Sequence, residues 1–595
     1  MGLYLLDYGA GNVASLANSL TKLGHSFTWI SSPEDFDKAE KLIFPGVGAF
    51  KHAMDNLATK GLLEPLRAYL ASGRPYFGIC IGMQVLFSAS TEHSDETGLI
   101  PGLGVIPCTI DRFSTQDKSV PHIGWNRAQR LRSNTNGYEN GKGQDSIDMN
   151  DDRSYYFVHS YRAAYDPDSA LRDWTFTTTQ FGQEVFVSSV AHANILAVQF
   201  HPEKSGAAGL SLLDSWVKAP TKSLVSLDSQ SSPFSPASKL RLERPPAARD
   251  GLAKRIVACM DVRTNDQGDL VVTKGDQYDV REKVSTTTTD TQTTLKTGGA
   301  VRNLGKPVQL ASKYYIAGAD ELCLLNITSF RSSPLLDQPM LAVVRAAANE
   351  VFVPLTIGGG IKDTVDPDGT EHSALEVAGA YFRAGADKVS IGSEAVWNVE
   401  ELLRVDSVEN GANGTNGSSK APQRKKTGIE YIANAYGSQA VVVSIDPRRV
   451  YVDPSTYDGP YKSELIHGKP GGEEEGKAWW YQCTVSGGRE SRPLSVVQLA
   501  KGVERLGAGE LLINSIDRDG TGKGFDHDLI NLIKGSVRIP VVASSGAGSA
   551  NHFVDVFRET EAEAALAAGI FHREEVEIQK VKEALVDNGI TTRRL

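Results

Sequence analysis

Two stretches, VPLTIGGGI at residues 353–361 and IPVVASSGAG at residues 539–548, share one pattern, a short apolar run that ends in a glycine-rich turn. Two more pairs repeat at nearly the same distance: CMDVR from 259 with SIDPRR from 444, and GADELCLLNIT from 318 with GAGELLINSID from 507. Three pairs that share one offset, about 186 residues, indicate an internal two-fold repeat.

The repeated stretches predict parallel β-strands that are connected by helices. Each stretch is rich in aliphatic and β-branched residues, and helix-like segments such as SALEVAGAYFRAGA and PLSVVQLAKGVERLGA lie between them. Strands that alternate with helices form a parallel sheet with crossover connections. Two (βα)4 halves that close on each other give a (βα)8 TIM barrel. An open doubly wound sheet is the competing fold, and the two-fold repeat favours the barrel.

The N-terminal part of the chain predicts a separate α/β module. GLYLLD, KLIFPG and RPYFGIC are strand-like, and VASLANSLTKLG and IGMQVLFSAS are helix-like, which is typical of an open, mostly parallel sheet. A Ser- and Pro-rich stretch, PTKSLVSLDSQSSPFSPASKLRLERPPAARD, is typical of a linker. We therefore predict an N-terminal domain at residues 1–218, a linker at 219–251 and a barrel domain at 252–595.

Several segments interrupt the regular alternation of strands and helices. Residues 133–153 and 405–427 are polar and rich in Gly and Asn, which predicts solvated surface loops. A long insertion spans 451–485, and the loop that follows Lys274 is expanded through about residue 305. We expect this last loop to lie over the active site of the barrel, because the loops after barrel strands form that site.

Composition excludes several classes of protein. The 595 residues carry a formal net charge of −10, whereas general nucleic-acid binding needs a basic face. The five cysteines show no metal-like pairing, which argues against a disulfide scaffold or zinc module and favours a reducing compartment. The N-terminus lacks the features of a signal peptide, and no apolar run reaches the length of a membrane span. We expect a cytoplasmic protein that binds neither nucleic acid nor membranes.

The sequence GICIGMQ, residues 78–84, predicts a nucleophilic cysteine. Cys80 stands between glycines where an apolar strand passes into a helix, which is a nucleophile elbow with cysteine in place of serine. A helix N-terminus favours the reactive thiolate. In LAVQFHPEKSG, His201 can accept the Cys80 proton and Glu203 can orient the imidazole. A buried structural cysteine is the alternative for Cys80 taken alone.

GICIGMQ and FHPEKS together resemble the class I, triad-type glutamine amidotransferases. The resemblance implies that FPGVGAF, residues 44–50, is the oxyanion loop, with backbone N–H groups near Val47 and Gly48 that stabilise the tetrahedral oxyanion. It also implies that Gln84, Ser160 and Tyr161 hold the substrate glutamine. Ordinary packing is the alternative for Tyr161.

In the barrel, Asp261 and Asp446 occupy equivalent positions of the two repeats, each after an apolar strand. Both would project from the C-terminal face, where two carboxylates can divide acid and base roles. Helix capping is the alternative for either aspartate alone. The repeats also carry paired small-residue turns of the kind that binds phosphate through backbone N–H groups. The candidates are Gly359, Gly360, Gly392, Ser393, Gly546, Gly548, Ala568 and Gly569. The duplication predicts a substrate with a phosphate at each end.

Nearly all of residues 252–595 is similar to the cyclase of the imidazole glycerol phosphate synthases. The resemblance is carried by RIVACMDV, TIGGGI, GADKVSIGSEAV, SIDRDGTGKG and ASSGAG. The two modules together resemble the fused eukaryotic form of that family. The resemblance implies that Lys274 contacts the substrate from a loop and that Asp519 supports the site. It implies a bis-phosphorylated aminoimidazole carboxamide ribonucleotide with an opened ribulosyl chain as substrate, whose imidazole ring ammonia from glutamine would close. We expect no metal and no cofactor, since neither a metal-ligand cluster nor a dinucleotide fingerprint is evident.

Four charged residues, Arg255, Glu321, Lys388 and Glu510, each stand at the start of a predicted barrel strand. They should ring the N-terminal mouth of the barrel. The resemblance implies that this ring gates ammonia from the docked glutaminase, and a plain salt-bridge layer is the alternative. We expect an intramolecular contact between the modules of a monomeric chain.

Two rival functions differ in what they need. The resemblance places the cyclase in histidine synthesis. An aminoaldose–ketose isomerase of that pathway would share the half-barrel repeat, the phosphate loops and the paired aspartates, but an attached glutaminase would serve no purpose. A catalytically silent scaffold would not need Cys80, His201, Glu203, Asp261 and Asp446 together.

Overall fold

The computed structural model describes residues 2–9, 11–92, 98–131, 147–225, 244–264, 270–273, 307–327, 335, 338–412 and 424–593. Lys274, the long loop that follows it and most of the linker lie outside these described residues.

The N-terminal module is built on an eight-stranded sheet with the strand order β2-β1-β3-β4-β14-β13-β12-β9. The first five of these strands are parallel, and the last three run antiparallel to their neighbours. Two smaller sheets, β10-β8 and β11-β7-β5-β6, complete the module. The predicted open, mostly parallel sheet is confirmed.

The strands of this module are β1 Leu3–Leu6, β2 Thr28–Ile30, β3 Lys41–Phe44, β4 Tyr76–Ile79, β5 Phe87–Ser90, β6 Ile100–Pro101, β7 Ile106–Arg112, β8 His122–Arg127, β9 Gln129–Arg130, β10 Ser154–His159, β11 Tyr161–Arg162, β12 Thr175–Phe181, β13 Glu184–His192 and β14 Ile195–Val198. The helices are α1 Val13–Lys22, α2 Asp35–Lys38, α3 Phe50–Thr59, α4 Leu63–Ala71, α5 Ile81–Gln84, α6 Gly206–Lys218 and α7 Thr221–Leu224, with 3₁₀ turns at Ala170–Asp173 and Pro202–Lys204.

The second module is a closed barrel of parallel strands in the order β15-β17-β18-β21-β22-β27-β28-β29, and the pairing of β29 with β15 closes it. The competing open sheet is therefore wrong. Capping boxes begin three of the surrounding helices, with Ser373, Thr427 and Ser495 as N-caps. The helices capped by Ser373 and Ser495 end at a left-handed glycine.

The strands of the second module are β15 Arg255–Thr264, β16 Leu270–Thr273, β17 Glu321–Asn326, β18 Leu355–Gly358, β19 Thr364–Val365, β20 Glu371–His372, β21 Lys388–Ile391, β22 Val441–Ile445, β23 Pro447–Val452, β24 Ile466–His467, β25 Ala478–Val485, β26 Glu490–Ser495, β27 Glu510–Asn514, β28 Val541–Ser544 and β29 Ala564–Ala567. The helices are α8 Pro307–Ile316, α9 Pro339–Ala348, α10 Ala374–Ala384, α11 Ser393–Ala412, α12 Gly428–Tyr436, α13 Val496–Leu506, α14 His527–Lys534, α15 Ala550–Glu559, α16 Gly569–His572 and α17 Ile578–Asp587, with 3₁₀ turns at Ser438–Ala440 and Lys462–Glu464.

Alternation along the strands separates the barrel interior from the layer under the helices. Side chains two residues apart on a strand face the same side, so Arg255, Val257, Cys259 and Asp261 of β15 all point inward. The inward-facing aliphatic and thiol side chains form a small core of their own at mid-barrel. Its buried members are Val257, Cys259, Cys323, Val442, Leu512, Val542, Ala564 and Leu566.

Two of the expected surface loops are more ordered than their composition predicts. Ile147 and Met149, in the 133–153 segment, are buried in the core of the N-terminal module. Helix α11 continues through residues 405–412 of the second segment, with Val405 buried and Asp406 paired with Arg505 at 2.7 Å. The expectation of solvated loops is wrong for these parts, because contacts with distant residues stabilise them.

The insertion after β22 forms a small antiparallel sheet in which β25 pairs with β23, β24 and β26. Arg449 fastens this sheet to the barrel. Its guanidinium lies 4.4 Å from the ring of Trp479 and donates to Asp526 at 2.8 Å. In the turn after β25, Ser486 and Gly487 lie at the mouth of the barrel.

The two modules share a buried interface at the N-terminal end of the barrel. Trp125 Nε1 donates to the carbonyl of Asp320 (3.0 Å), and Lys204 pairs with Asp387 (2.8 Å). All four side chains are less than a tenth exposed. Among the described residues, no helix is long and apolar enough to cross a membrane.

Candidate active sites

Cys80 occupies a strained turn between β4 and α5. Its backbone has φ 50° and ψ −100°, a conformation that L residues rarely adopt and that marks functional elbows. The flanking glycines are required by contact: a Cβ at Gly78 would lie 2.4 Å from the carbonyl oxygen of Gly82, and one at Gly82 would lie 2.1 Å from that of Phe44. Helix α5 spans only four residues, so the helix contribution to the thiolate is smaller than the sequence suggested.

The predicted base and its orienting group lie together at the end of β14. His201 Nδ1 is 2.7 Å from Glu203 Oε1, and both side chains are buried. Burial opposes protonation of the imidazole. The charges of Glu203 and Cys80 outweigh this effect and raise the pKa of His201 well above its ordinary value. The environment therefore favours the imidazolium form of His201.

Gln84 belongs to a chain of amides that sequence reasoning missed in part. Its Nε2 donates to the carbonyl of Tyr161 (3.1 Å) and to Gln199 Oε1 (3.0 Å). Gln199 is fully buried, and its own Nε2 donates to Cys80 Sγ at 3.4 Å. The alternation in Q-F-H could have identified Gln199, because it places residues 199 and 201 on one face of an extended segment.

The predicted oxyanion loop lies between Tyr8 and the barrel. The Tyr8 hydroxyl donates to the carbonyl of Val47 (2.9 Å), and a Cβ at Gly48 would lie 2.9 Å from that hydroxyl. The next residue, Ala49, donates its N–H to the carbonyl of Ala435 at the end of α12 (3.2 Å). The loop is thus held by both modules.

Ser160 also lies at the interface. Its Oγ is 3.3 Å from Ser438 Oγ and 3.4 Å from Gln439 Oε1 of the barrel. Tyr161 is partly exposed, and its carbonyl accepts from both Gln84 and His159 Nδ1. Ser160 and Tyr161 therefore lie beside the Cys80 network, at the border between the modules.

Glu92 is a further buried carboxyl near the oxyanion loop that sequence reasoning missed. It accepts a hydrogen bond from the N–H of Phe50, the first residue of α3. Burial raises the pKa of Glu92 to about 7. Nothing in its sequence context predicted burial, because the tertiary contact with α3 produces it.

The predicted cyclase residues line one cavity of about 910 Å³ at the C-terminal mouth of the barrel. Lys274 lies outside the described residues. The predicted residues that line this cavity are Asp261, Gly359, Gly360, Gly392, Ser393, Asp446, Asp519, Gly546, Gly548, Ala568 and Gly569. Asp261 is a correction in detail, because β15 does not end before it but continues to Thr264 as an antiparallel ribbon with β16.

Asp446 is held by an amide neighbour. Asn514 Nδ2 donates to Asp446 Oδ1 and to Ser444 Oγ, both at 2.9 Å. Burial raises the pKa of Asp446, the Asn514 hydrogen bond lowers it and the charge of Asp519 raises it further, so the net shift is upward. A carboxyl with a raised pKa is suited to proton transfer near neutral pH.

The turns of the two repeats require glycine for steric reasons. A Cβ at Gly359 (φ +90°) would lie 2.1 Å from the carbonyl oxygen of Asn326, and one at Gly546 (φ +94°) would lie 2.3 Å from that of Gly524. Gly392 differs, since nothing lies within 4 Å of a Cβ there. At the same turn, Ser393 Oγ accepts from the N–H of Ser486 in the insertion sheet.

The four predicted ring residues meet at the opposite end of the barrel. Arg255 pairs with Glu321 (2.7 Å) and Glu510, and Lys388 pairs with the same two carboxylates. All four side chains are buried, and their ion pairs form a closed ring. Burial opposes ionisation of Glu321, but the charges of Lys388 and Arg255 outweigh it and lower the pKa of Glu321 to about 2.

The N-terminal module covers this ring. Tyr156 of β10 is buried close enough for Glu321 and Arg255 to act on its hydroxyl, and burial raises the pKa of Tyr156 well above its ordinary value. Its hydroxyl makes no hydrogen bond to the residues that the structure describes. The backbone of Tyr156 accepts from the N–H of His201 (2.9 Å), so one strand links the two sites.

Comparison with known proteins gives the family. The class-I glutamine amidotransferase family matches residues 4–218, and the histidine biosynthesis protein family matches twice, at 255–408 and 404–577. Imidazole glycerol phosphate synthase hisHF of Emericella nidulans is 49% identical over 593 residues, which cover 100% of this chain and 99% of that protein. The chain belongs to the imidazole glycerol phosphate synthase family.

Other relatives agree with this assignment. The Schizosaccharomyces pombe hisHF protein is 48% identical, with 99% of each chain covered, and the Arabidopsis thaliana protein named hisHF, chloroplastic, is 50% identical over 99% of this chain and 89% of its own. As a member of the fused imidazole glycerol phosphate synthases, the chain is a bifunctional enzyme of histidine biosynthesis with a glutamine amidotransferase and a cyclase activity. Within the described residues, no group of three or more His, Cys, Asp or Glu side chains could hold a metal ion.

Proposed function

We propose that the N-terminal module hydrolyses glutamine to glutamate and ammonia, and that the barrel uses this ammonia on phosphoribulosyl-formimino-aminoimidazole carboxamide ribonucleotide. The products are imidazole glycerol phosphate and aminoimidazole carboxamide ribonucleotide. The fusion of both modules in one chain supports the proposal, because an isomerase of the same pathway needs no ammonia.

In the glutaminase site, the Cys80 thiolate attacks the carboxamide carbon of glutamine. The backbone N–H groups near Val47 and Gly48 stabilise the oxyanion. His201, oriented by Glu203, donates a proton to the leaving nitrogen, and the tetrahedral intermediate breaks its C–N bond to release ammonia and leave a thioester on Cys80. A water molecule that gives its proton to His201 then hydrolyses the thioester to glutamate.

Gln84, Ser160 and Tyr161 hold the glutamine substrate. Their position supports this role, since Gln84 and Tyr161 belong to the network that ends at Cys80, and Ser160 borders it at the interface.

In the cyclase site, Asp261 and Asp446 act as the acid and base pair. The raised pKa of Asp446 supports proton transfer, and Asp519 supports the same site from the next loop. Lys274 contacts the substrate from its loop. Two groups of backbone N–H donors bind the two phosphates, from residues Gly359, Gly360, Gly392 and Ser393 of one repeat and Gly546, Gly548, Ala568 and Gly569 of the other.

Ammonia passes from one site to the other through the barrel. The observation that carries this step is the order of layers along the barrel axis: a charged ring under Tyr156, then an aliphatic and thiol core, then the two aspartates. Neutral ammonia crosses an apolar core at much lower cost than ammonium. Because the ring of Arg255, Glu321, Lys388 and Glu510 is closed, one of its ion pairs must separate to admit ammonia.

The first test compares nitrogen sources in the wild type and in Cys80→Ala. Cys80→Ala should lose the glutamine-driven cyclisation and keep the reaction driven by a high concentration of ammonium salt. A wild-type chain that makes no product from either source would refute the cyclase assignment and favour the isomerase or scaffold. In a coupled assay that scavenges free ammonia, quantitative capture during glutamine-driven turnover would refute the internal route.

We further propose domain limits at residues 1–218 and 252–595 with a linker at 219–251, a monomeric state and a cytoplasmic location. The interface between the modules supports a monomer, because contacts within one chain already cover the charged ring.

A further inference from the structure

Gln199 stands out among the buried polar residues that the proposed mechanism does not use. It directly follows β14, and the pairing of β14 with β4 is in register, with Val198 opposite Ile79. The residues that follow, Gln199 and Cys80, are therefore neighbours on one face. The amide is fully buried and its Nε2 donates to Cys80 Sγ at 3.4 Å.

The direction of the amide follows from its partners. The carbonyl of Tyr161 can only accept, so the Gln84 atom that contacts it is the nitrogen. That nitrogen also contacts Gln199 at 3.0 Å, which makes the nearer Gln199 atom the oxygen. The remaining Gln199 atom, which faces Cys80, is therefore an N–H donor.

The same carbonyl is fixed from the other side. His159 Nδ1 lies 2.8 Å from it, and burial lowers the pKa of His159 to about 3, so the ring is neutral and donates from Nδ1. Its Nε2 then accepts from His122 Nδ1 at 3.3 Å. A hydrogen-bond network thus runs from these two buried histidines, through the Tyr161 carbonyl and the two amides, to Cys80.

We propose that Gln199 is a positioning residue for the nucleophile: its N–H donates to the Cys80 thiolate and holds the sulfur in place for attack on glutamine. A hydrogen bond to the charged form of a group favours that form. When sulfur becomes a thioester it loses its negative charge and accepts the hydrogen bond more weakly. This inference rests on the proposed role of Cys80 as nucleophile.

The test replaces the donor without changing the volume much. In full-length Gln199→Met we expect the pH midpoint for alkylation of Cys80 by iodoacetamide to rise by about one unit, which is roughly a tenfold loss of thiolate below both midpoints. Peptide mass spectrometry separates Cys80 from the other four cysteines. The kcat/KM for glutamine should fall at neutral pH and recover as pH rises, while ammonium-driven cyclisation stays unchanged.

Two further variants make the result decisive. Gln183→Met removes an exposed amide of the same module and should leave every measurement at the wild-type value. Gln199→Glu keeps the size of the side chain and replaces the donor with an acceptor, so it should raise the alkylation midpoint further. If Gln199→Met lowers ammonium-driven cyclisation, the alkylation midpoint of Gln199→Glu tests the role of the donor instead.

An alkylation profile that coincides with the wild type, in either Gln199 variant, would overturn the proposal and reduce Gln199 to a packing role. The proposed function fails in a distinguishable way: Cys80→Ala would then retain glutamine-driven turnover, whatever the Gln199 variants show.

Discussion

Removal of Arg255 is expected to destabilise the barrel strongly. Its guanidinium bonds Glu321 and Glu510, and none of the three side chains is more than 4% exposed. Arg255→Met leaves two buried carboxylates with Lys388 as their shared cation. Loss of one partner from a buried ion pair costs about 3–5 kcal/mol.

The size of the thermal shift follows from the size of the barrel. With an unfolding entropy of about 2.1 cal/mol/K per residue, the Tm of a barrel of roughly 340 residues falls by about 1.4 °C for each kcal/mol lost from its free energy of unfolding. Arg255→Met should therefore lower the Tm of the full chain, measured by differential scanning calorimetry, by about 4–7 °C. Arg404→Met is the matched control, since Arg404 pairs with Glu401 on the surface of α11, where such pairs are worth under about 1 kcal/mol.

The decrease in Tm caused by Arg255→Met should also depend on pH. In the wild type the pKa of Glu321 is lowered to about 2, so its ionisation stabilises the fold above the ordinary carboxyl pKa, and this contribution is lost as pH falls toward 2. In Arg255→Met, Lys388 is the remaining cation that opposes the effect of burial, so the pKa of Glu321 rises. The Tm deficit should then be larger at pH 8 than at pH 5. Equal shifts for Arg255→Met and Arg404→Met, or a deficit that does not change with pH, would refute this account of the ring.

Three further predictions concern the two sites. Gly359→Ala should lower the Tm and the rate of ammonium-driven cyclisation, because a left-handed φ alone costs about 1–3 kcal/mol and the added Cβ would lie 2.1 Å from a carbonyl oxygen. Gly392→Ala should keep the wild-type Tm, because nothing lies within 4 Å of a Cβ there, and equal losses of Tm in the two variants would contradict the steric argument. Glu203→Gln should lower kcat for glutamine by a factor on the order of 10²–10⁴ and spare ammonium-driven cyclisation, and a parallel loss of both would indicate misfolding. Asn514→Leu removes a donor to the Asp446 carboxylate, so the pH profile of ammonium-driven cyclisation should shift upward, and an unshifted profile would exclude Asp446 as the group that titrates.

The barrel could be predicted from sequence because its repeats carry strong local patterns. The strand and glycine-turn pairs around Gly359 and Gly546 specify both an element and its place in a symmetric arrangement, and the cavity residues follow from the rule that sites lie at the carboxyl ends of strands. The elbow at Cys80 and the partner at His201 were equally local, since each follows one short apolar strand.

The features that sequence reasoning missed depend on tertiary contacts. Ile147 and Met149 lie in a segment whose average composition is polar, yet both are buried by the core of the first module. Asp406 forms an ion pair with Arg505 of a neighbouring helix, where the sequence suggested a loop. Glu92 looks like an ordinary surface carboxyl until α3 covers it. No window of sequence contains these partners together.

One strand of the barrel reaches both the charged ring and the cavity. In β15 the two-residue alternation places Arg255 in the ring, Val257 and Cys259 in the apolar core and Asp261 at the cavity. Six residues at about 3.3 Å each separate ring from aspartate by roughly 20 Å. The barrel strand itself therefore spans the distance from the cavity to the closed ring beneath the glutaminase module.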